Sequence, residues 1–308
     1  MQTRTLPRLD TGPIPVIVNA GGGAASRLGK GLRQTVEEAF AGAGVPVRVQ
    51  AVDGADIAEA VRTTESELVV VGGGDGTLGS AAGALAHTGR SLGVLPLGTR
   101  NHLALELGIP ADLAEAAKVI AAGHVRTIDL GCAGDRAFVN NCSVGLYPSL
   151  VRERERVRHG LPKWLATIPA AWRALRWLHS ERFRLEWNGA EHTVETPLLF
   201  IGNNRYGLDA GRLGQRESLS DGVLSLAAVE AQSGGRLALM ILRLLLGRAD
   251  PERDFAALED MDELCIYGHR QRHVALDGEV VRLRFPLRLS VLPGALRVVA
   301  PAPQAEQV

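Results

Sequence analysis

Between Glu67 and Ala81 the chain reads ELVVVGGGDGTLGSA, an apolar β-branched run followed by three glycines, an aspartate, a fourth glycine and a threonine. Gly72, Gly73 and Gly74 let the backbone take positive φ and come close to a ligand with no Cβ in the way. The helix expected just beyond them presents unpaired N–H groups, which suit an anion such as phosphate. A carboxylate at Asp75 would repel phosphate unless a cation lay between the two, which points to a nucleotide carried with Mg²⁺. The structural alternative is a turn that only packs helix on strand, with Thr77 as the helix N-cap. GxxxxGK[ST] is absent, so this is not a P-loop, and the turn is not read as the dinucleotide fingerprint GxGxxG.

A second turn repeats the pattern in GVLPLGTRNHLALELGIP, Gly93 to Pro110, where an apolar run turns at Pro96 to Gly98 and a helix begins near Asn101. Further along, VALDGEVV places Asp277 and Glu279 two residues apart around an Asp-Gly pair. Asp-Gly is a strong hairpin signal, and a carboxylate there could also take a proton as a general base. Both remain open as the base. Glu279 is preferred because its side chain is longer, with Asp277 better placed to orient it or hold the turn. Asn140, Asn141, Asn203 and Asn204 are paired amides at strand ends, read equally well as turn residues or as ligand contacts. Arg100 and His102 follow the PLGT turn and read either as contacts to phosphate or lipid or, at least as well, as a solvated helix start.

The elements that must position these residues change character along the chain. PVIVNA, VPVRVQAV, ELVVVG and SLGVLPLG are strands separated by helical patterns, one of which repeats Leu28, Leu32, Val36 and Phe40 on one face. Such alternation predicts parallel strands with helices on both faces, and ligands bind at the carboxyl ends of such strands. After Gly131 strands such as RAFVNNCSVGL, RFRLEWNG, HTVETPLLFIG and GVLSLAAVE follow one another with short polar turns. The predicted fold is therefore an N-terminal α/β nucleotide-binding domain with a mostly parallel sheet, residues 13–131, and a C-terminal β-rich antiparallel sandwich, residues 132–293. The last strand, ALRVVA, is allowed to return to the first domain with residues 294–308.

Composition limits the partners. The 308 residues carry 34 basic and 34 acidic side chains, so no global positive field suggests nucleic acid. Cys132, Cys142 and Cys265 form no CxxC pair and suggest neither a disulfide framework nor zinc. No apolar core for a signal peptide stands at the start, and LALMILRLLLG is too short to span a bilayer, so a cytoplasmic protein is expected. Residues 151–184 mix nine basic side chains with Trp164, Trp172 and Trp177, which suits peripheral contact with an anionic membrane surface. A buried helical face with solvated arginines is the alternative. A homodimer is compatible with all of this.

Taken together, GGGDGT followed by PLGTRNHLA resembles the catalytic domain of the diacylglycerol kinase family, which includes bacterial lipid kinases and sphingosine and ceramide kinases. The likeness extends from Val16 to Val299 through RTIDLG, VNNCSVGLYPSLVRERE, SLSDGVLSL and VALDGEVV. It implies an ATP-dependent kinase that moves the γ-phosphate to a hydroxyl of a membrane lipid, with Mg²⁺. It places the nucleotide against Asn19, Gly73, Gly74, Asp75, Gly76, Thr77 and Thr99. It puts Asp75 and Asp129 in a network holding catalytic Mg²⁺ through water, and Asp221, with carbonyls near Ser218 and Val223, at a second Mg²⁺. It makes Asp75, Asp277 and Glu279 the catalytic residues. The chain departs from the family at Asn19-Ala20-Gly21-Gly22-Gly23, where Asn-Pro-x-Ser-Gly is usual, so a serine contact to phosphate is missing. The alternatives are an NAD kinase-like small-molecule kinase and a nucleotide-binding regulator without catalysis.

Overall fold

A computed structural model describes residues 4–5, 12–21, 29–145, 180–207, 215–216, 218–230, 235–236, 254–268 and 270–302. The basic, tryptophan-containing segment is thus described only from 180 to 184, and Leu28 and the apolar run 237–247 lie outside the described residues. The chain divides into two compact units, Met1–Leu130 with Pro293–Val308, and Gly131–Leu292.

The first unit alternates as the apolar pattern requires. Its elements are β1 (Ile14–Asn19), α1 (Leu32–Gly42), β2 (Val47–Val52), α2 (Ile57–Thr63), β3 (Leu68–Gly73), α3 (Asp75–Leu85), β4 (Ser91–Pro96), α4 (His102–Glu106) and α5 (Leu113–Ala122). Strands β2, β1, β3 and β4 lie side by side in that order, all parallel. Every residue of β3 and of β4 is buried, as expected for strands covered on both faces. On α1 the predicted stripe is realised by Leu32, Val36 and Phe40. Helix α1 packs with α5 and α2 packs with α3. Each fully buried Val, Leu or Ile contributes about 1.5–3 kcal/mol, so the β3–β4 pair is the rigid centre of this unit.

The second unit is antiparallel. Its strands are the end of β5 (His124–Ala133), then β6 (Arg136–Phe138), β7 (Asn141–Gly145), β8 (Glu181–Trp187), β9 (Ala190–Thr196), β10 (Leu198–Asn203), β11 (Leu224–Val229), β12 (Phe255–Met261), β13 (Glu263–Ile266), β14 (Gln271–Leu276), β15 (Glu279–Arg284) and the start of β16 (Leu287–Val299). One sheet runs β12-β11-β10-β7-β14-β15 and the other contains β9-β8-β13-β16. A single apolar cluster joins Cys142, Val144, Ile201 and Leu226 of the first to Phe183, Leu185, Ile266 and Leu289 of the second, which makes a sandwich. The observed architecture is the α/β unit plus antiparallel β-rich unit that the sequence predicts.

Three local expectations need correction. RAFVNNCSVGL is not one strand, because the chain leaves the ladder at Val139 and Asn140 between β6 and β7. The cause is distant in sequence: the N–H groups of Val139, Asn140 and Asn141 are taken by the Asp277 carboxylate. Thr77 is not the N-cap of α3; Gly74 holds that position, and Thr77 sits inside the helix. The last strand is longer than ALRVVA, since β16 begins at Leu287, pairs antiparallel with β13 through Leu287–Ser290, and runs parallel to β4 at Arg297 and Val298.

Arg90 secures the lead-in to β3. Its guanidinium donates to the carbonyls of Ser66, Thr64 and Val61, closing the end of α2 and the loop that follows. Arg90→Met should therefore lower the unfolding free energy by about 1.5–3 kcal/mol, the range for hydrogen bonds to a charged group. Urea unfolding read by circular dichroism measures this, and an unchanged midpoint would show the clamp to be dispensable.

Candidate functional site

In the first unit the strand order reverses between β1 and β3, since β2 flanks β1 on one side while β3 and β4 follow on the other. That reversal opens a crevice at the carboxyl ends of β1 and β3, the place where open α/β sheets take ligands. Asn19 ends β1 and Gly73 ends β3 there. Asn19 Nδ2 donates to Thr77 Oγ1 at 2.8 Å, while Asn19 Oδ1 accepts the N–H of Gly21 at 3.0 Å. Asn19 thus ties the β1 turn to the first turn of α3. Gly22 and Gly23 lie outside the described residues.

The two glycine turns touch. A Cβ on Gly98 would stand 2.4 Å from Gly74 Cα, and a Cβ on Gly73 would stand 2.5 Å from the Thr77 side chain. Nothing larger than glycine fits at either point without movement. Asn101 adopts the left-handed conformation, φ 53°, and its Oδ1 accepts the Gly98 N–H at 2.8 Å, closing the PLGTRN turn. Asp75 bridges the turns, for its Oδ1 accepts the N–H of Leu103 in α4 at 3.1 Å. Gly76 is half-buried, Thr77 is buried and Thr99 is exposed on the second turn. Asp129 is buried on β5 and accepts the Gly294 N–H at 2.7 Å, so it also holds the Pro293–Gly294 bend of β16.

In the second unit Asp277 and Gly278 form the two-residue connection of the β14–β15 hairpin, both with positive φ, 49° and 85°. That geometry is the one the Asp-Gly pair selects. The Asp277 carboxylate accepts three N–H groups, from Val139 at 2.8 Å, Asn140 at 2.7 Å and Asn141 at 3.1 Å. Burial pushes Asp277 up to about 6 despite these bonds and the nearby Arg216 charge, which pull the other way. Glu279 opens β15 and is exposed, yet enough protein surrounds it for desolvation to raise its carboxyl above the ordinary range. Cys142 beside this turn is a buried thiol, pushed up by burial and by Asp277.

Arg216 carried no signal in the sequence, standing in the polar stretch GRLGQRESLSDG. It is buried, with Nη1 donating to Val139 O at 2.6 Å and Asn203 O at 3.2 Å, and Nη2 to Asn140 Oδ1 at 3.0 Å. The paired amides are structural here. Asn203 Nδ2 donates to Val139 O, and Asn204 Oδ1 accepts the N–H groups of Asp221 and Gly222, folding the SLSDG turn. In that turn the Val223 carbonyl accepts from Asn204 N–H, and Ser218 Oγ accepts from Ser220 N–H. Among the described residues no group of three or more His, Cys, Asp or Glu side chains is placed to hold a metal ion. A cavity of about 930 Å³ lies at the opposite, amino ends of β1 and β3, lined by Ile14, Arg48, Thr63 and Leu68 among others, and includes none of the residues singled out above.

The model for the diacylglycerol kinase catalytic domain matches residues 13–133. A Pseudomonas aeruginosa protein named "Probable lipid kinase YegS-like" is 31% identical over 271 residues, covering 85% of this chain and 86% of that protein. The chain belongs to the diacylglycerol kinase catalytic-domain family. A Mycobacterium tuberculosis protein named "Diacylglycerol kinase" is 28% identical over 98% of this chain and 99% of its own length. Two Bacillus anthracis crystal structures share the fold over 94% of this chain and 97% of theirs, with TM-scores of 0.72 and 0.65 at 23% and 20% identity. The family is one of kinases, so the chain is a phosphotransferase by membership. No helix among the described residues is long and apolar enough to cross a membrane.

The contact between the turns can be tested directly. Gly98→Ala should cost about 1–3 kcal/mol of stability, the usual penalty of overpacking. Gly42→Ala, where an added Cβ meets nothing within 4 Å, is the control and should be neutral or mildly stabilising. Parallel urea titrations decide it, and equal midpoints for both variants would show that the turns are not locked together.

Proposed function

We propose that the chain is an ATP-dependent lipid kinase that transfers the γ-phosphate to a hydroxyl of a membrane lipid. The observation that carries this reading is the pair of glycine turns locked against each other beside Asp75 and the amino end of α3. Phosphoryl transfer asks the protein mainly for alignment and charge stabilisation. The first turn is tied to the end of β1 by Asn19–Thr77 and to the second by Asp75–Leu103, so little reorganisation would accompany binding. Gly73, Gly74, Gly76, Thr77 and Thr99 would face the phosphates.

Mg²⁺ enters such sites with the nucleotide and takes one or two protein carboxylates, keeping phosphate oxygens and waters for the rest. Asp75, which spends one oxygen on Leu103, fits that requirement, with Asp129 as the buried second carboxylate of the unit. When bound, the ion would neutralise charge on the transferring phosphoryl group. At the SLSDG turn, Asp221 with the carbonyls near Ser218 and Val223 would form a second set; Val223 O already accepts the Asn204 N–H and would offer the ion its remaining lone pair.

In the second unit the two carboxylates take different roles. Asp277 is committed to three N–H groups and holds the turn; Glu279, exposed and with a raised pKa, is the general base for the lipid hydroxyl. The names of the relatives support a lipid acceptor, and the lipid's identity is left to a panel. Peripheral contact with an anionic surface through the 151–184 segment remains part of the proposal.

Purified protein given labelled ATP, Mg²⁺ and vesicles with diacylglycerol, ceramide, sphingosine or phosphatidylglycerol should label one lipid class and leave NAD⁺ unlabelled. Glu279→Gln should slow turnover about 10²–10⁴-fold while ATP affinity by calorimetry stays unchanged. Asp75→Asn should lose Mg²⁺-dependent ATP binding as well as turnover. Labelling of NAD⁺ instead of lipid, or full turnover in Glu279→Gln, would overturn the assignment.

Acidification supplies a further check. Turnover should fall as pH drops through about 6, where Asp277 takes up a proton, Glu279 being raised above the ordinary carboxylate range as well, and the near-ultraviolet circular dichroism should not change over the same range. A fall in activity that coincides with unfolding would remove these carboxylates as its cause.

A further inference from the structure

The peptide joining Val139 to Asn140 has its oxygen on Arg216 and its N–H on Asp277. Val139 and Asn141 add their own N–H groups to the same carboxylate, and the Asp277 N–H returns to Asn141 O at 2.9 Å. Asn203 donates its side-chain amide to Val139 O and its backbone N–H to Asn140 O, and Tyr206 OH also donates to Asn140 O at 3.0 Å. A cation and an anion thus grip opposite edges of one short segment. An arginine fork is suited to this, since its coplanar N–H groups reach Val139 O, Asn203 O and Asn140 Oδ1 at once.

We propose that Arg216 is a positioning residue for the acidic turn: through the Val139–Asn140 peptide it fixes Asp277 and so fixes where Glu279 stands at the start of β15. This rests on the reading of Glu279 as the base. Arg216 touches no reacting atom and acts only through the segment it holds. Glu279 is two residues beyond Asp277 in a two-residue hairpin, so a slack Asp277 tilts the base, and small misplacements of a catalytic group cost large factors in rate. The chemistry also predicts a charge effect. Among the described residues the charged or titratable groups that act on Asp277 are Arg216 across the peptide and the Cys142 thiol on β7; Arg216 is the cation. It favours the ionised carboxylate, so its removal moves the acid limb of the activity profile to higher pH.

The experiment compares Arg216→Met, Arg216→Lys, Asp277→Asn and Glu279→Gln in the full chain with vesicle substrate. Arg216→Met should lower kcat about tenfold or more with KM for ATP unchanged, and should move the acid limb to higher pH. Arg216→Lys keeps the charge without the fork, so the limb should return towards its original position while kcat recovers only in part. In the Asp277→Asn background, replacing Arg216 should no longer move the limb. A purely structural arginine would lower the melting temperature of both Arg216 variants and leave the limb where it was. If Arg216→Met does not fold, Arg216→Lys alone decides, since wild-type kcat in that variant overturns the proposal. Loss of turnover in Glu279→Gln beside wild-type kcat and pH limb in Arg216→Met refutes this inference alone, whereas full turnover in Glu279→Gln refutes the kinase reading of the turn first.

Discussion

One peptide group carries the order of the second unit's polar centre. The Val139–Asn140 amide is held between the Arg216 guanidinium and the Asp277 carboxylate, with its dipole aligned along the line from cation to anion. Burying either charge alone would cost several kcal/mol, and a direct buried pair repays that only when every remaining lone pair and proton is satisfied. Here the satisfaction is spread over backbone. Three N–H groups face the carboxylate, and two carbonyls and an amide oxygen face the guanidinium. The result is why β6 and β7 are two strands with a break rather than one, and why Asn140 is buried.

The first unit solves a similar problem with smaller parts. Its glycine turns could each adopt many conformations alone, and glycine pays the largest backbone entropy on ordering. The ordering is supplied by Asn19 on Thr77 and Asp75 on Leu103, and within the second turn by Asn101 on Gly98. The first two ties join elements that follow different strands, so the carboxyl end of the sheet at the strand-order reversal is shaped by the β1–β3–β4 neighbourhood rather than by any one loop.

What the sequence made legible follows from how local the physics is. The alternation of β-branched runs with a four-residue apolar repeat over Leu32, Val36 and Phe40 reports burial directly, and the parallel order follows. Asp-Gly selects a two-residue hairpin through its own φ preferences, and that turn formed where expected. Arg216 was invisible because a lone arginine among polar residues carries no local mark of burial; its partners are 13 to 77 positions away. The break in RAFVNNCSVGL was hidden for the same reason, as its cause lies 136 to 138 positions along the chain. Thr77 was misjudged at closer range. The cap preference assumes the helix starts after the threonine, at Leu78, and here Gly74 holds the cap position and the helix starts three residues earlier, at Asp75.

The two carboxylates of VALDGEVV show how neighbours in sequence acquire different tasks from environment alone. Asp277 is raised to about 6 because burial outweighs its three hydrogen bonds and the Arg216 charge. A carboxyl whose folded pKa exceeds its ordinary value favours folding most when protonated, so its contribution is full below the ordinary carboxylate range and is lost as pH rises to about 6. The ionised state that organises Val139 to Asn141 is thus the state in which this group helps stability least. Stability and the geometry that the proposed base depends on pull in opposite directions across that window. A protein can keep such a group only if other contacts hold the fold at neutral pH, and the sandwich core around Cys142, Val144 and Leu276 supplies them. Glu279, exposed at the same hairpin, is spared this conflict: it gives up part of its hydration without being locked to the backbone, which leaves it able to accept a proton.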